Sequence, residues 1–346
     1  MGRKENSGSS LKRKILIVIC IFLSVVLAAG VAFCILAESM LGDIDRLDQP
    51  QTLSQEQLET LFSEGETIET DPVLEQAETI FSGKNVVNIL LVGQDKRPDE
   101  GAGPQRTDAM ILCTINKSTK TLTMTSFMRD LWVYIPDRYN QRMNLPYMLG
   151  GFDLLNKTIE YNFGVRADYN IEIDFSGFMK AIDTVGGVEV ELTSAEANYL
   201  NKRGNWDVEE NQNWQLKKGN NLLTGSQALA YSRIRQIGSD FGRTNRQRIV
   251  LTSLLEKAKN LGMTELYDLA REIIPLLRTD MTNSQIFGLI LDMLPMLSEL
   301  EIVSQRIPMD GEFSDADKNG AQVLVMSKEN LEANKQLLIE AMKEKS

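Results

Sequence analysis

Positions 15–37 form a run of 23 residues without a charged side chain, set between Arg3, Lys4, Lys12, Arg13 and Lys14 on one side and Glu38, Asp43 and Asp45 on the other. As a helix rising about 1.5 Å per residue, the run spans roughly 34 Å, enough for a hydrocarbon core of about 30 Å. Basic residues before it and acidic residues after it predict a cytoplasmic tail (1–14), with everything past position 37 outside. A cleaved secretory signal would share these flanks, and small residues stand at Ala28, Ala29 and Ala37. Its apolar core is usually only about 7–15 residues, so the length favours a single uncleaved anchor. Any folded domain then lies beyond the membrane.

Charge and missing residue types narrow the chemistry. The chain carries −11 over 346 residues, although its first 37 hold five Lys/Arg and one Glu. An acidic body is a poor match for nonspecific nucleic-acid binding, which needs a broad basic surface, so no nucleic-acid partner is expected. One enclosed basic cleft is still compatible with it, because walls of low dielectric concentrate the local field. Histidine is absent, which removes histidine-activated nucleophiles, histidine bases and histidine metal ligands together. Cys20 and Cys34 fall in the apolar run and only Cys113 lies beyond it. Disulfides therefore do not hold the outer part together.

Positions 38–84 are rich in Glu, Gln, Thr and Ser, with Leu53, Leu58, Leu61 and Phe62 at near-helical spacing. They read as a stalk or a pair of short helices. A compact domain is expected over 85–310, followed by a C-terminal extension (311–346) with a terminal helix. Runs rich in Thr, Ile and Val predict strands at 86–92, 109–115, 121–127, 131–135, 169–175, 188–192 and 301–307. Apolar periodicity predicts helices at 151–162, 177–185, 224–234, 243–260, 264–277, 283–294 and 328–343. Strands alternating with helices indicate an α/β fold, a mixed central β-sheet sandwiched by helices.

Charged residues gather where these elements end. Asp95 and Arg97 follow the first strand, Arg106 and Asp108 precede the second, and Arg129 and Asp130 follow the third. Arg233 and Arg235 end a helix, and Asp240, Arg243 and Gln247 open the next. Guanidinium forks match phosphate oxygens, and paired hard carboxylates suit a magnesium ion. Together they point to a site for a phosphorylated ligand. Taken singly, each has a plainer reading: Asp95 and Asp108 as turn or capping residues, Arg129 as a salt-bridging turn residue, Arg243 with Arg246 and Arg248 as a solvated helix face. Arg233 and Arg235 face the same way only in an extended segment, so the helix should loosen near Ser232 if both grip one ligand. Arg243 and Gln247 share a helix face near a start that favours anions.

Several segments occur in a telling order: Leu90-Leu91-Val92-Gly93-Gln94-Asp95, Arg106-Thr107-Asp108, Ser126-Phe127-Met128-Arg129-Asp130, Arg142-Met143-Asn144 with Gly150-Gly151, Val185-Gly186-Gly187-Val188, Gly225-Ser226-Gln227-Ala228-Leu229-Ala230-Tyr231-Ser232-Arg233-Ile234-Arg235, and Asp240 through Gln247. In this the chain resembles the LytR-CpsA-Psr family of cell-wall glycopolymer ligases over about 85–260, and more loosely to 310. The resemblance implies Mg²⁺, or Mn²⁺ in its place, near Asp95 and Asp108. It implies diphosphate contacts from Arg97, Arg106, Arg129, Arg233, Arg235, Arg243 and Gln247, with Arg106, Arg129 and an arginine-orienting Asp240 at the catalytic centre. The implied reaction is phosphoryl transfer on the outer face of the plasma membrane in a Gram-positive-type wall. A glycopolymer of teichoic acid or capsule type, carried on polyprenyl diphosphate, is joined to a peptidoglycan hydroxyl and polyprenyl phosphate is released. Two positions depart from the pattern: Met128 stands where the family usually has Pro, and Arg142 where it has Lys. Asp130 and Asp240 are both candidates for the general base, a metal-bound carboxylate is a third, and positioning by Mg²⁺ and the arginines is favoured over any dedicated base. The rival readings are a pyrophosphatase using water as acceptor and a non-catalytic membrane sensor of lipid-linked wall precursors.

Overall fold

The computed structural model describes residues 42, 45–46, 76–77, 81, 83–94, 107–202, 214–238, 240–318 and 320–344. The apolar run at 15–37 and the site residues Asp95, Arg97 and Arg106 lie outside the described residues. Among those described, no helix is long and apolar enough to cross a membrane. The chain divides into Met1–Asp43 and Ile44–Ser346, and every element named below belongs to the second unit.

Seven strands build the central sheet in the order β1 (Asp45–Arg46), β10 (Leu277–Thr279), β7 (Tyr169–Ile173), β2 (Val86–Gln94), β3 (Thr107–Asn116), β4 (Thr121–Phe127) and β11 (Glu301–Ile307). β2, β3 and β4 are antiparallel neighbours. β7 runs parallel to β2, and β11 runs parallel to β4. The expected mixed sheet results, since local connections give antiparallel pairs and helical crossovers give parallel ones. The carboxyl ends of β2, β4, β7 and β11 consequently share one edge with the amino end of β3. One register break lies there. Gly93 pairs with Ala109 and Gln94 with Thr107, leaving Asp108 as the extra residue of a bulge.

Alternation along the strands decides which layer covers each face. Val86, Leu90, Val92 and Leu112 pack on one side with Leu155 and Ile159 of α1 (Pro146–Phe163) and Leu331 and Leu338 of α8 (Lys328–Met342). The segment read as a C-terminal extension thus supplies part of the main core. Ile89, Ile111 and Ile115 face the opposite way, against Leu251 and Leu255 of α5 (Asp240–Ala258) and Leu289 of α7 (Asn283–Met293). Of the described residues in 38–84, Asp45 and Arg46 pair with β10 and Phe81 bridges Val165. They are attached to the domain.

Two predicted strands lie outside the central sheet. β5 (Trp132–Tyr134) pairs with β6 (Asn140–Arg142), and β8 (Val188–Leu192) pairs with β9 (Gly219–Leu223). The second pair covers a satellite core with α2 (Phe175–Thr184), α3 (Ser194–Asn201) and α4 (Gly225–Ser232), in which Ile182, Val190, Leu200 and Tyr231 are buried. The helix expected at 264–277 stops sooner. α6 (Met263–Ile273) gives way to a tight turn at Ile274–Leu276, where Pro275 lacks the N–H a continuing helix needs, and the chain returns as β10. Sequence periodicity does not find β6, β9, β10, α3 or the hairpin of β12 (Ser314–Lys318) and β13 (Ala321–Val325).

The start of α4 matters because that helix delivers two of the arginines. Thr224 accepts from Gln227 N while Gln227 Oε1 accepts from Thr224 N, so the helix opens on a capping box. Gly225 follows, its N–H donating to Asp183 Oδ1 at 2.7 Å. A Cβ at this position would lie 2.3 Å from the Met179 carbonyl oxygen, so α2 and α4 approach as closely as only glycine allows. Gly225→Ala should destabilise the domain by about 1–3 kcal/mol, read from urea unfolding. Unchanged stability would show that the two helices can part freely.

Candidate functional site

The bulge at the β2–β3 edge sets Asp108 apart from the regular in–out alternation of its strand. Three guanidinium groups reach it. Arg129, just past β4, donates from Nη1 to Asp108 Oδ1 at 3.1 Å. Arg235, just past α4, donates from Nη2 to Oδ2 at 2.8 Å. Arg243, on the first turn of α5, brings Nη1 to 3.3 Å from Oδ1. A second carboxylate ties two of the same arginines together: Asp240 Oδ1 lies 2.9 Å from Arg243 Nη2 and 3.3 Å from Arg129 Nε. Asp130 adds a flank, 3.3 Å from Arg129 Nε and 3.8 Å from Arg142 Nη1.

Arg243 is the least exposed member, its side chain only 2% accessible. Its carboxylate contacts balance charge without aligned hydrogen bonds. Nε, Nη1 and Nη2 are all buried without a hydrogen-bond partner among the described residues, and so is Asp240 Oδ2. Buried donors of this kind are costly unless acceptors arrive from elsewhere. The oxygens of an anion between the arginines would supply them.

The electrostatics separate the two carboxylates. Burial pushes the Asp108 carboxyl up, but Arg243, Arg129 and Arg235 outweigh it and hold the group below the ordinary aspartate range. Burial also raises Asp240, and there Arg243 and Arg129 do not fully offset it because Asp130 and Asp108 add like charge. Asp108 is therefore a fixed anion, and Asp240 the carboxylate more ready to take a proton. Both offer hard oxygens of the type Mg²⁺ prefers. Among the described residues no group of three or more Cys, Asp or Glu converges on a metal position.

The remaining site residues lie partly in the Asp108 cluster and partly away from it. Helix α4 does end at Ser232, as expected if both arginines leave it. Only Arg235 joins the Asp108 cluster, however; the Arg233 guanidinium lies over the Phe175 ring, 4.6 Å from its centroid. Gln247 is half-buried one turn beyond Arg243. Met128 explains itself: its backbone N–H donates to Ile307 O at 2.9 Å, a β4–β11 tie that proline could not make.

Arg246 does not lie on the solvated helix face expected of it. Its guanidinium is buried, donating to Glu196 Oε1 at 2.7 Å, Ile234 O at 3.1 Å and Ile237 O at 2.7 Å. It thereby clamps the loop carrying Arg235. The centroid of the Tyr231 ring lies 5.9 Å from the guanidinium, a proximity set by packing and not marked in the linear sequence. Burial raises the Glu196 carboxyl, but hydrogen bonds from Arg246 and Thr193 pull it below its ordinary value. Its contribution to stability is thus present above the usual glutamate range and lost as pH falls through the lower folded value. Arg246→Met should cost about 3–5 kcal/mol in chemical denaturation, because Glu196 is left buried and unpaired. Arg246→Lys should restore only part, having no planar fork for two carbonyls and a carboxylate. A loss under about 1 kcal/mol would show that Glu196 finds other partners.

The chain is similar to several known proteins. It is 30% identical over 260 residues to the regulatory protein MsrR of Staphylococcus aureus (strain COL), covering 73% of this chain and 75% of that one. To the polyisoprenyl-teichoic acid–peptidoglycan teichoic acid transferase TagT of Bacillus subtilis (strain 168) it is 34% identical over 188 residues, or 54% and 57% of the two chains. The solved structure of TagT bound to LIIa-WTA matches with a TM-score of 0.61 at 26% identity, over 78% of this chain and 96% of that one. TagT with bound octaprenyl pyrophosphate lipid matches at 0.57 and 25%, over 80% and 99%. The sequence pattern of the LytR_cpsA_psr family runs through residues 52–340, from the segment before β2 into α8. Motif order, sheet topology and this match over most of the length agree: the protein belongs to the LytR_cpsA_psr family.

Proposed function

We propose that this protein is a membrane-anchored phosphotransferase. Acting outside the cell, it moves an anionic glycopolymer from a polyprenyl-diphosphate carrier to peptidoglycan. The observation that carries this reading is the convergence of Arg129, Arg235 and Arg243 on Asp108, with the buried Arg243 nitrogens lacking acceptors. TagT, named for such a transfer and solved with a prenyl pyrophosphate, gives the reading its chemical direction. The uncharged run at 15–37 supplies the anchor.

In this mechanism Arg129, Arg235 and Arg243 donate to the nonbridging oxygens of the diphosphate, with Arg97, Arg106 and Gln247 completing the set. Asp108 spaces three of the guanidinium groups, which would otherwise repel. Asp240 orients Arg129 and Arg243. A peptidoglycan hydroxyl oxygen attacks the phosphorus attached to the glycopolymer. The bond from that phosphorus to the bridging oxygen breaks, and polyprenyl phosphate leaves with the electron pair. Negative charge spreads over the nonbridging oxygens in the transition state, where aimed guanidinium groups are most effective. The hydroxyl proton goes to Asp240, whose raised affinity suits a base. Mg²⁺, held by Asp108 with Asp95, would add charge neutralisation at the diphosphate.

MsrR is named a regulatory protein, and the corresponding alternative for this chain is a protein that binds such a lipid without turning it over. Incubating the protein with a synthetic prenyl-diphosphate glycan, Mg²⁺ and peptidoglycan oligomers separates the readings by mass spectrometry. A glycan–peptidoglycan adduct with prenyl phosphate is expected. A hydrolase would release glycan phosphate even without peptidoglycan, and a sensor would leave the donor intact. Arg243→Lys should lower turnover about 10²–10³-fold, by analogy with losing one preorganised donor. Activity should rise with pH along an acid limb lying above the ordinary aspartate range, as Asp240 loses its proton. Asp240→Asn should abolish that limb; an unchanged pH profile would remove Asp240 from the role of base.

A further inference from the structure

A second set of unsatisfied donors lies beyond the Asp108 cluster, on the β4–β11 side of the same edge. Arg248 is five residues past Arg243 on α5 and half-buried. It donates from Nη2 to Asn245 Oδ1 at 3.0 Å, but its Nε and Nη1 are buried without a hydrogen-bond partner among the described residues. Arg306 on β11, 12% exposed, is close enough for its charge to act on Arg248, and it donates from Nε to Pro308 O at 3.2 Å and from Nη2 to Asp310 Oδ1. Its guanidinium lies 4.3 Å from the centroid of the Phe241 ring, which packs in turn on Phe313. Ser126, the register partner of Arg306 on β4, also has a buried hydroxyl oxygen without a partner.

Folding alone gives no reason to set two like charges near each other while leaving Arg248 Nε and Nη1 without acceptors. Burial and the charge of Arg306 both lower the proton affinity of Arg248, and Asp310 offsets this only in part. Asp310 is 96% exposed, so water competes for it. One tetrahedral oxyanion would offset the two like charges and supply acceptors to Arg248 and Ser126.

We infer that Arg248, Arg306 and Ser126 form a second anion subsite that takes a phosphodiester of the glycopolymer itself. The subsite would hold the polymer next to the diphosphate and select donors that carry phosphate in their repeat units. This inference rests on the proposed transfer reaction for its choice of ligand, while the subsite itself rests on the unmet donors.

The test uses the full-length protein in detergent micelles. Binding of a soluble oligo(glycerol phosphate) and of inorganic phosphate is titrated separately. Transfer is measured with two prenyl-diphosphate donors, one bearing glycerol phosphate units and one without them. Arg248→Gln and Arg306→Gln should each weaken oligomer binding about tenfold and lower the ratio of kcat/KM between the two donors by a similar factor. Arg248→Lys should retain more binding than Arg248→Gln. Because both donors are processed by the same molecules, a folding defect lowers both rates and leaves the ratio unchanged. Unchanged oligomer binding and an unchanged ratio in both Gln variants would overturn the subsite. Inorganic phosphate binding as tightly as the oligomer would overturn its assignment to the polymer. Should the parent protein transfer neither donor while Arg248-dependent binding persists, the proposed reaction fails and the subsite stands.

Discussion

The Asp108 carboxylate is the element around which the site is arranged. Three arginines from three separate parts of the chain meet on its two oxygens. Without it, their charges would repel at close range, and Arg243, almost fully buried, would keep only Asp240 as counter-charge. Burying an uncompensated guanidinium costs several kcal/mol, a large share of the stability of any domain. The position of this carboxylate follows from one extra residue in β3, which breaks the register at the edge where four strands end. Apolar cores cover both faces of the sheet behind that edge.

The arginines are supported unequally, and this bears on how the site works. Arg243 rises from the first turn of a helix packed along the sheet, and Arg129 follows a strand whose continuation is tied to β11 through Met128. Arg235 lies on a loop, and the buried Arg246 clamps that loop by two carbonyls while Glu196 holds the clamp. A buried charged pair beside the satellite core therefore positions a charged group on Asp108. The unmet donors of Arg243 and the buried Asp240 oxygen are the complementary feature. The cluster is balanced in charge but incomplete in hydrogen bonds, as expected of a site whose missing acceptors belong to a ligand.

Relatives of this chain carry names from two functional classes, regulator and transferase. A shared fold cannot choose between them, because activity resides in the site placed on the fold. Here the site offers preorganised cations, one fixed anion and one carboxylate of raised proton affinity, which is more than recognition of a lipid requires.

Strand and helix periodicity alone located the central strands β2, β3, β4, β7 and β11 and the long helices, because buried faces repeat every two or 3.6 residues. The same reading missed β9, with the sequence Gly-Asn-Asn-Leu-Leu, and the polar β12, since short edge strands bury too little to leave a pattern. Charged residues at element ends pointed to a site for a phosphorylated ligand, and the family resemblance carried by the order of the motifs assigned Asp108, Arg129, Arg235, Asp240 and Arg243 to it. What the linear chain could not show was which arginine does which job. Arg233 and Arg235 are two residues apart, yet one lies on Phe175 and the other on Asp108. Arg246 and Arg248 look alike on paper, yet one is a buried clamp and the other holds unmet donors. An arginine's role depends on its distance to carboxylates, carbonyls and rings brought close from far along the chain, and only the packed structure sets those distances.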